Sequence, residues 1–419
     1  MREQIEGSQA VAKTVARCRP EVIAAYPITP QTHIVEALSR QVKTGELAPC
    51  EFVNVESEFA ALSVMIGASA TGARTYTATA SQGLLFMAEA LYNASGLGLP
   101  IVMTVANRAI GAPINIWNDH SDAMSQRDSG WIQFFAQDNQ EASDLHVQAF
   151  RIAEELSLPV MVCMDGFILT HAVEEVDLPE PEQVDAFLPA FEPRQVLDPD
   201  DPVTIGAVVG PDAFTEVRYL AHAKQMQALD RIPEVAQEFA AAFGRPSGGL
   251  LRGYRLDDAE TVVVALGSVL GTISEVIDEL RDEGVAIGAL GITTFRPWPE
   301  QEVREALAGA QRVLVVEKAF GVGIGGIVST DVRVSLEGLP VRVRTAIAGL
   351  GGRVITAQAL RGLFEDAVAD RLPLTTFLGL DTELVERELA RTRERRRSGP
   401  HAENMLKDLG IVAAGHGVT

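Results

Sequence analysis

The sequence is poor in cysteine and has no long apolar run, and each absence excludes a class of protein. Its 419 residues contain only Cys18, Cys50 and Cys163. Cysteines so few and so widely spaced provide no disulfide framework, zinc site or iron–sulfur ligand set. No segment approaches the roughly 20 uninterrupted apolar residues of a membrane-spanning helix. The N-terminal residues also lack an apolar signal-peptide core, so we expect a soluble, cytoplasmic protein.

Positive charge is also scarce. The chain has 35 Lys and Arg against 57 Asp and Glu, a formal net charge of −22. Nucleic acids and anionic membranes bind basic surfaces, so we expect neither as a partner. The GxSxG elbow of serine hydrolases and the phosphate-binding Walker loop are both missing.

Segments typical of strands alternate with segments typical of helices, which indicates α/β architecture with parallel sheets. A glycine-rich stretch at residues 244–253 is the best candidate for a domain boundary. We therefore predict two doubly wound parallel-sheet domains. The expected regions are a first domain at 1–245, with an N-terminal helix at 5–18, an acidic, proline-rich excursion at 173–202 and a long helix at 213–243; a second domain at 256–370; and a charged C-terminal tail at 371–419 with a helix at 381–397.

The stretch 50–83 contains the first candidate for a functional side chain. It reads as a strand at 51–55, a helix rich in small residues, and a strand at 74–79. Glu58 falls in the first helical turn, at the carboxyl end of a strand, where open α/β sheets bind ligands. An acid there also has a structural explanation, because the helix dipole favours it by about 0.3–1 kcal/mol. Position alone slightly favours the structural explanation.

Two further segments carry polar side chains near strand ends. Arg108 follows a predicted strand at 100–106 and could hold a carboxylate through two parallel hydrogen bonds, or form an internal salt bridge. Residues 118–122, which include His120 and Asp122, could ligate a metal. A loop held by its own side-chain hydrogen bonds is the favoured interpretation.

A glycine run, Gly321-x-Gly323-x-x-Gly326, has the spelling of a dinucleotide-binding fingerprint. The fingerprint also needs an acid near the end of the next strand to bind a ribose. The next predicted strand, at 341–347, has none. We therefore favour a tight strand-to-helix turn or a contact with a partner over a free-standing NAD enzyme.

Several motifs in order along residues 4–352 resemble the α subunit of 2-oxoacid:ferredoxin oxidoreductases, most closely the pyruvate type. No single motif is decisive, but their combination and order are specific. The matching segments are residues 26–30 (YPITP), 56–58 (ESE), 77–83 (TATASQG), 107–109 (NRA), 112–122 (APINIWNDHSD), 128–131 (DSGW) and 165–167 (DGF).

The resemblance implies a thiamine-diphosphate enzyme that converts pyruvate and CoA to acetyl-CoA and CO2 while reducing ferredoxin, or runs in reverse. It implies a pyrimidine-binding domain followed by a transketolase C-terminal-like domain. Glu58 matches the family's glutamate that bonds the pyrimidine ring, and Glu56 is a weaker candidate. Thr29 and Arg108 match the threonine and arginine that contact the substrate. The loop 114–122 looks like the pyruvate version.

The expected site residues fall into three groups, and none is expected to bind a metal. They are Glu58, Arg108 and Thr29 for catalysis; Glu58, Pro27, Ile28, Ser81, Gln82 and Gly83 for cofactor binding; and Thr29, Arg108 and Asn107 for substrate binding.

Two absences imply partner subunits. The Gly-Asp-Gly segment that binds the diphosphate and Mg2+ in thiamine-diphosphate enzymes is missing, and so are the cysteines for [4Fe-4S] clusters. The resemblance therefore places both on partners: a β subunit for the diphosphate and iron–sulfur chemistry, with γ and δ subunits and ferredoxin. Two alternatives stay open: a complex acting on a branched-chain 2-oxoacid, 2-oxoglutarate or oxalate, and a non-catalytic scaffold subunit.

Overall fold

The structure, a computed structural model, describes residues 2–394 and 401–411. The last three positions of the predicted tail helix, 395–397, lie outside the described residues. Strands and helices alternate through most of the chain, as expected. The first half contains β1 (Arg2–Glu6), α1 (Gly7–Arg17), β2 (Val22–Ala25), α2 (Thr32–Thr44), β3 (Glu51–Asn54), α3 (Glu58–Ala70), β4 (Thr75–Thr79), α4 (Ser81–Phe86), α5 (Ala88–Leu97), β5 (Ile101–Asn107), α6 (Ser121–Ser125), β6 (Ile132–Phe135), α7 (Asn139–Leu156), β7 (Val160–Asp165), β8 (Val173–Asp177), α8 (Pro181–Phe187) and α9 (Phe214–Phe243).

The second half repeats the alternation and ends in two helices. Its elements are β9 (Leu251–Tyr254), β10 (Thr261–Ala265), α10 (Val269–Asp282), β11 (Ile287–Ile292), β12 (Thr294–Arg296), α11 (Glu300–Leu307), β13 (Arg312–Glu317), α12 (Val328–Ser335), β14 (Arg342–Ile347), a 3₁₀ turn (Leu350–Gly352), α13 (Ala357–Val368), β15 (Thr375–Phe377), α14 (Thr382–Glu394) and α15 (His401–Asp408).

Two large sheets form the framework. The first has seven strands in the order β12-β6-β7-β5-β4-β2-β3, and the second has six in the order β15-β14-β13-β10-β11-β9. The central strands β4, β5 and β7 are buried along their whole length, as expected for parallel strands covered on both faces. One hydrophobic cluster joins the two sheets, since it contains Met103 and Val105 of β5 together with Val264 of β10.

The predicted α/β class with parallel sheets is confirmed, and one antiparallel strand is added at an edge of each sheet. Strand β12 pairs antiparallel with β6, and β9 pairs antiparallel with β11. Strand β12 joins the first sheet although a single residue, Thr293, separates it from β11 of the second sheet. Short edge strands such as these are set by long-range pairing, which local sequence patterns do not encode.

The predicted N-terminal helix at 5–18 is wrong at its beginning. Residues 2–6 form β1, which pairs antiparallel with β8 from Arg2 opposite Asp177 to Glu6 opposite Val173. This pairing overrides the local helical pattern, and helix α1 begins only at Gly7. The excursion at 173–202, read as extended, therefore contains a strand, and it also contains helix α8.

Two helical segments near the candidate site are short. Helices α4 and α5 follow β4 and are divided at Met87. The connection after β5 contains the five-residue helix α6. In the described part of the chain, no helix has both the length and the apolar character that crossing a membrane requires.

Candidate active site

The predicted site residues follow four neighbouring strands at one edge of the first sheet. In spatial order the strands are β3, β2, β4 and β5, all parallel. Because the carboxyl ends of parallel strands meet at one edge, residues far apart in sequence come together there. Glu58 follows β3, Thr29 follows β2, Ser81 follows β4 and Arg108 follows β5.

Glu58 is the first residue of α3 and its side chain is buried, with 8% of the residue exposed. The N-cap role belongs to its neighbour Ser57, whose Oγ accepts a hydrogen bond from Ala60 N at 3.2 Å. Within the described residues, no hydrogen bond or ion pair reaches the Glu58 carboxylate. Glu56, the weaker candidate, is exposed. The carboxylate oxygens are not sealed inside the protein, so their acceptor sites are open to an external donor.

Gly83 provides the space for this carboxylate. A Cβ at position 83 would lie 2.7 Å from Glu58 Oε1 and 2.6 Å from Thr79 Oγ1, so any larger residue would displace one of them. Thr79 Oγ1 is itself buried and has no hydrogen-bond partner in the described chain. The region around Gly83 thus holds two polar side chains that have no hydrogen-bond partner among the described residues.

Arg108 is buried and oriented by two backbone carbonyls. Its Nε donates to Asn115 O at 3.0 Å, and its Nη1 donates to Thr29 O at 2.9 Å. Burial lowers the pKa of Arg108, and the carboxylate of Asp122 opposes this shift. Nη2 has no partner among the described residues, which leaves donors free for an anion such as a substrate carboxylate.

Thr29 reaches the site through its backbone, while the residue itself is exposed. The turn around it is held by Gln31, a fully buried residue that the sequence interpretation missed. Gln31 Nε2 donates to Tyr26 O at 3.0 Å and to Ala78 O at 2.8 Å, and so ties the end of β2 to β4. The only sequence signal for this contact is a glutamine placed directly after the YPITP segment.

Asp122 is a second residue whose role was missed, although its loop was singled out. Its carboxylate accepts hydrogen bonds from Ser81 N, Arg108 N, Asn107 Nδ2 and Ala123 N at 2.7–3.0 Å. Burial raises the pKa of Asp122 to about 6, against the effect of these four donors. Asp122 thereby joins the ends of β4 and β5 and fixes the backbone of Arg108.

The other predicted residues occupy different positions around this edge. Ser81 and Asn107 are fully buried and bonded within the protein, Ser81 through its hydroxyl to Ala109 O at 2.5 Å. Gln82 and Ile28 are half-buried, and Pro27 is exposed. Their assignment to cofactor or substrate stays a prediction.

The loop 118–122 is held by its own side chains, as the favoured interpretation has it. Asp119 Oδ1 accepts a hydrogen bond from Ser121 N at 2.9 Å, and Asp122 is bonded as described above. Across residues 2–394 and 401–411, the side chains of His, Cys, Asp and Glu form no group of three or more that could hold a metal ion.

The glycine run at 321–326 forms a strand-to-helix turn, but a carboxylate occupies the place where a dinucleotide phosphate would bind. Glu317 accepts hydrogen bonds from Ile327 N and Val328 N, both at 2.8 Å, and from Ser329 N at 3.3 Å. These are the amides at the beginning of α12, the group that binds pyrophosphate in dinucleotide-binding folds. The geometry therefore argues against an NAD site here.

Two family models match the chain in the order of its two sheets. The first is described as "Pyruvate flavodoxin/ferredoxin oxidoreductase, thiamine diP-bdg" and matches residues 13–237. The second is described as "Pyruvate:ferredoxin oxidoreductase core domain II" and matches residues 259–360. The class is therefore an α/β protein with a thiamine-diphosphate-binding domain.

The chain belongs to the pyruvate:ferredoxin oxidoreductase family, which confirms the resemblance found in its motifs. It is 51% identical to pyruvate synthase subunit PorA of Methanosarcina barkeri, over 86% of this chain and 91% of that protein. Identity to PorA of Methanocaldococcus jannaschii is 48%, over 90% and 97% of the two chains. Identity to ketoisovalerate oxidoreductase subunit VorA of Pyrococcus horikoshii is 38%, over 87% and 93%.

A solved structure supports the fold. The 2-oxoglutarate:ferredoxin oxidoreductase from Magnetococcus marinus superposes with a TM-score of 0.67 at 20% sequence identity. The match covers 88% of this chain and 65% of that chain. At this level of identity the similarity concerns the fold alone.

Proposed function

We propose that this chain is the α subunit of a thiamine-diphosphate-dependent pyruvate:ferredoxin oxidoreductase. The complex would convert pyruvate and CoA to acetyl-CoA and CO2 while reducing ferredoxin, or run in reverse. The observation that carries the proposal is Glu58, a buried residue whose carboxylate has no partner in the described chain and lies against Gly83 at the carboxyl edge of the sheet.

The residues around Glu58 fit the pyrimidine half of thiamine diphosphate. When bound, the cofactor supplies the nucleophile for the keto carbon and an acceptor for the electrons left by the loss of CO2. Glu58 would hold the pyrimidine ring through its carboxylate, which has no partner among the described residues. Gly83 leaves room for the Glu58 carboxylate in this position, because a Cβ there would lie 2.7 Å from Glu58 Oε1 and 2.6 Å from Thr79 Oγ1.

Arg108 and Thr29 would bind the substrate. The buried guanidinium keeps Nη2 free while Thr29 O and Asn115 O fix its orientation, so the arginine is preorganised for a carboxylate. Neutralising the substrate carboxylate at a fixed position also orients the bond that breaks when CO2 leaves.

The rest of the active site would lie on partner subunits. The chain lacks a Gly-Asp-Gly segment and cysteine clusters, so Mg2+, the diphosphate and the [4Fe-4S] centres are assigned to β, γ or δ subunits. The PorA relatives are named as subunits of pyruvate synthase, which supports the presence of partner subunits. The higher identity to pyruvate synthase subunits than to the ketoisovalerate subunit supports pyruvate over a branched-chain acid.

The test is to purify the chain together with its partner subunits and assay the complex. We expect bound thiamine diphosphate and iron, and a larger kcat/KM for pyruvate than for a branched-chain 2-oxoacid, 2-oxoglutarate or oxalate. Preference for another acid would refute the choice of substrate and leave the class intact. A cofactor-free chain that is active alone would refute the proposal as a whole.

A further inference from the structure

We propose that Lys318, Asp165 and His120 are positioning residues, through which the second sheet fixes Arg108 for substrate binding. We call these three residues the junction cluster. The inference rests on the proposed function, in which Arg108 holds the substrate carboxylate.

The junction cluster is a set of buried charge-assisted hydrogen bonds around one carboxylate. Lys318 Nζ donates to Asp165 Oδ2 at 2.8 Å, and His120 Nε2 lies 2.6 Å from Asp165 Oδ1. Ser268 completes the shell through its N–H, at 3.1 Å from Oδ2, and its hydroxyl. All three cluster residues are at most 4% exposed. Burial alone would raise the pKa of Asp165, but Lys318 and His120 hold it well below its usual range.

The cluster lies where the carboxyl ends of the two sheets meet. Asp165 is the last residue of β7 in the first sheet, whereas Lys318 directly follows β13 in the second. Gly267, after β10, leaves no spare room: a Cβ there would lie 3.1 Å from His120 Nε2 and 3.2 Å from Asp165 Oδ1. The contact between the sheets is therefore close and directional at this point.

One connection leads from the cluster to the backbone of Arg108. Lys318 O accepts a hydrogen bond from His120 N at 2.9 Å, so Lys318 contacts His120 as well as Asp165. His120 is the residue before helix α6, and Asp122 is the second residue of that helix. Asp122 Oδ2 in turn accepts the hydrogen bond from Arg108 N at 2.9 Å.

A second connection leads to the guanidinium of Arg108. The 3₁₀ turn Leu350–Gly352 contacts the loop before α6: Asn115 Nδ2 donates to Gly351 O at 3.1 Å, and Gly352 N donates to Asn118 O at 2.6 Å. Asn115 O is the acceptor for Arg108 Nε. The 3₁₀ turn, which follows β14 of the second sheet, thus holds the loop at Asn115 and Asn118.

The chemistry of the cluster favours positioning over stability. A buried ion pair contributes little net stability, because desolvation offsets the Coulomb attraction and apolar residues can often replace it. What such a pair provides is a defined geometry between two elements. A displacement of about 1 Å in a substrate-orienting group can cost about 100-fold in rate. The second sheet would therefore act in substrate binding without contributing a side chain that touches the substrate.

The test compares Lys318→Met with wild type in the reconstituted complex. The variant keeps the backbone bond to His120 but removes the ammonium that contacts Asp165. We expect the KM for pyruvate to rise about tenfold or more, with kcat changed less than about threefold. Lys318→Arg, which keeps the positive charge, should restore most of the affinity.

The matched control is Arg245→Met. Arg245 pairs with Asp144 of α7. The carboxylate of Asp144 is as buried as that of Asp165, but it does not belong to the junction cluster. We expect lower thermal stability and an unchanged KM. Wild-type KM in a folded Lys318→Met complex, or an equal rise in both variants, would overturn the inference.

A second variant decides the matter if Lys318→Met does not assemble. Asn115→Ala removes the side-chain bonds to Gly351 O and Trp117 N but keeps the backbone carbonyl that binds Arg108. A raised KM supports positioning, and an unchanged KM overturns it. Failure of the wild-type complex to use pyruvate would instead refute the proposed function, so the two failures are distinguishable.

Discussion

Two buried glutamates lie at the carboxyl edges of the two sheets, and their carboxylates differ in hydrogen bonding. Glu58 begins α3 after β3, and its carboxylate has no partner among the described residues. Glu317 ends β13, and its carboxylate accepts three backbone N–H groups of the turn before α12 and its first residues. Each lies against a glycine, Gly83 or Gly326, at a position where an added Cβ would collide with the carboxylate.

The comparison teaches that burial and a neighbouring glycine do not by themselves identify a functional acid. Whether the hydrogen-bonding capacity of the carboxylate is already used is the distinguishing property. Glu317 is satisfied internally and acts as a structural cap for α12. The Glu58 carboxylate is open to a donor from outside the described chain, as expected of an acid that binds a cofactor.

The largest expected effect is the loss of activity in Glu58→Gln. We expect kcat of the reconstituted complex to fall by about 10² or more, because a positioned acid–base group is lost. The melting temperature should stay unchanged or rise slightly, since no internal bond is broken. Steady-state assays with pyruvate and thermal unfolding measure the two quantities.

Glu56→Gln is the control, because Glu56 is an exposed acid two residues away on the same turn. It should leave both kcat and the melting temperature at their wild-type values. Activity of Glu58→Gln within about threefold of wild type would favour the scaffold alternative and remove the contrast between the two glutamates.

The two glycines offer a second way to break the comparison. Gly83→Ala places a Cβ 2.7 Å from Glu58 Oε1, so we expect a 10- to 100-fold lower kcat/KM and weaker retention of thiamine diphosphate. Gly326→Ala makes a Cβ overlap Glu317 Oε1 and should lower stability by about 1–3 kcal/mol while the folded complex stays active. A loss of activity in both variants, or in neither, would contradict the assignment.

Glu317→Gln should show the converse of Glu58→Gln. The amide can accept bonds at its oxygen only, so at least one N–H at the beginning of α12 loses its partner. We expect the free energy of unfolding to fall by about 1–3 kcal/mol. Chemical denaturation measures this, and kcat for pyruvate in the folded complex should remain within about twofold of wild type. A catalytic defect as large as that of Glu58→Gln would show that the cap interpretation is wrong.

The sequence was sufficient for the parts of the site that depend on strand order. Thr29, Glu58, Ser81 and Arg108 could be expected at one edge because each follows a recognisable strand, and parallel strands end on the same side. Burial then separates Glu58 from Glu56, which the sequence could only rank.

Contacts between distant side chains could not be predicted. Lys318 and Asp165 are 153 residues apart, and neither carries a local pattern that indicates the other. The pairing of β1 with β8 and the edge positions of β9 and β12 have the same origin, since long-range pairing decides them. Asp122 was noticed as one of several polar residues, but its four donors come from strand ends that only the fold brings together.

The smallest expected effect concerns pH and the carboxylate of Asp122. Like the carboxylate of Glu317 it accepts hydrogen bonds within the protein, but one of its donors is Arg108 N in the candidate active site. Burial raises its pKa from 3.8 to about 6, so the protonated form favours the folded state. Its contribution to stability is full below about pH 4 and is lost as the pH rises through about 6. Activity should change in the opposite direction, because only the ionised carboxylate accepts all four donors, including Arg108 N.

We therefore expect kcat/KM for pyruvate to rise a few-fold through about pH 6, while this group's contribution to the melting temperature falls. Asp122→Asn should give a lower kcat/KM without that pH-dependent step. Glu141→Gln is the control, since burial raises the pKa of Glu141 to about 7 but its carboxylate bonds Arg252 and Gln137, away from Arg108. An acid-side midpoint that persists in Asp122→Asn but disappears in Glu141→Gln would contradict this prediction, because the step would then belong to Glu141. Asp122 would in that case resemble Glu317, a structural acceptor whose ionisation does not affect substrate binding.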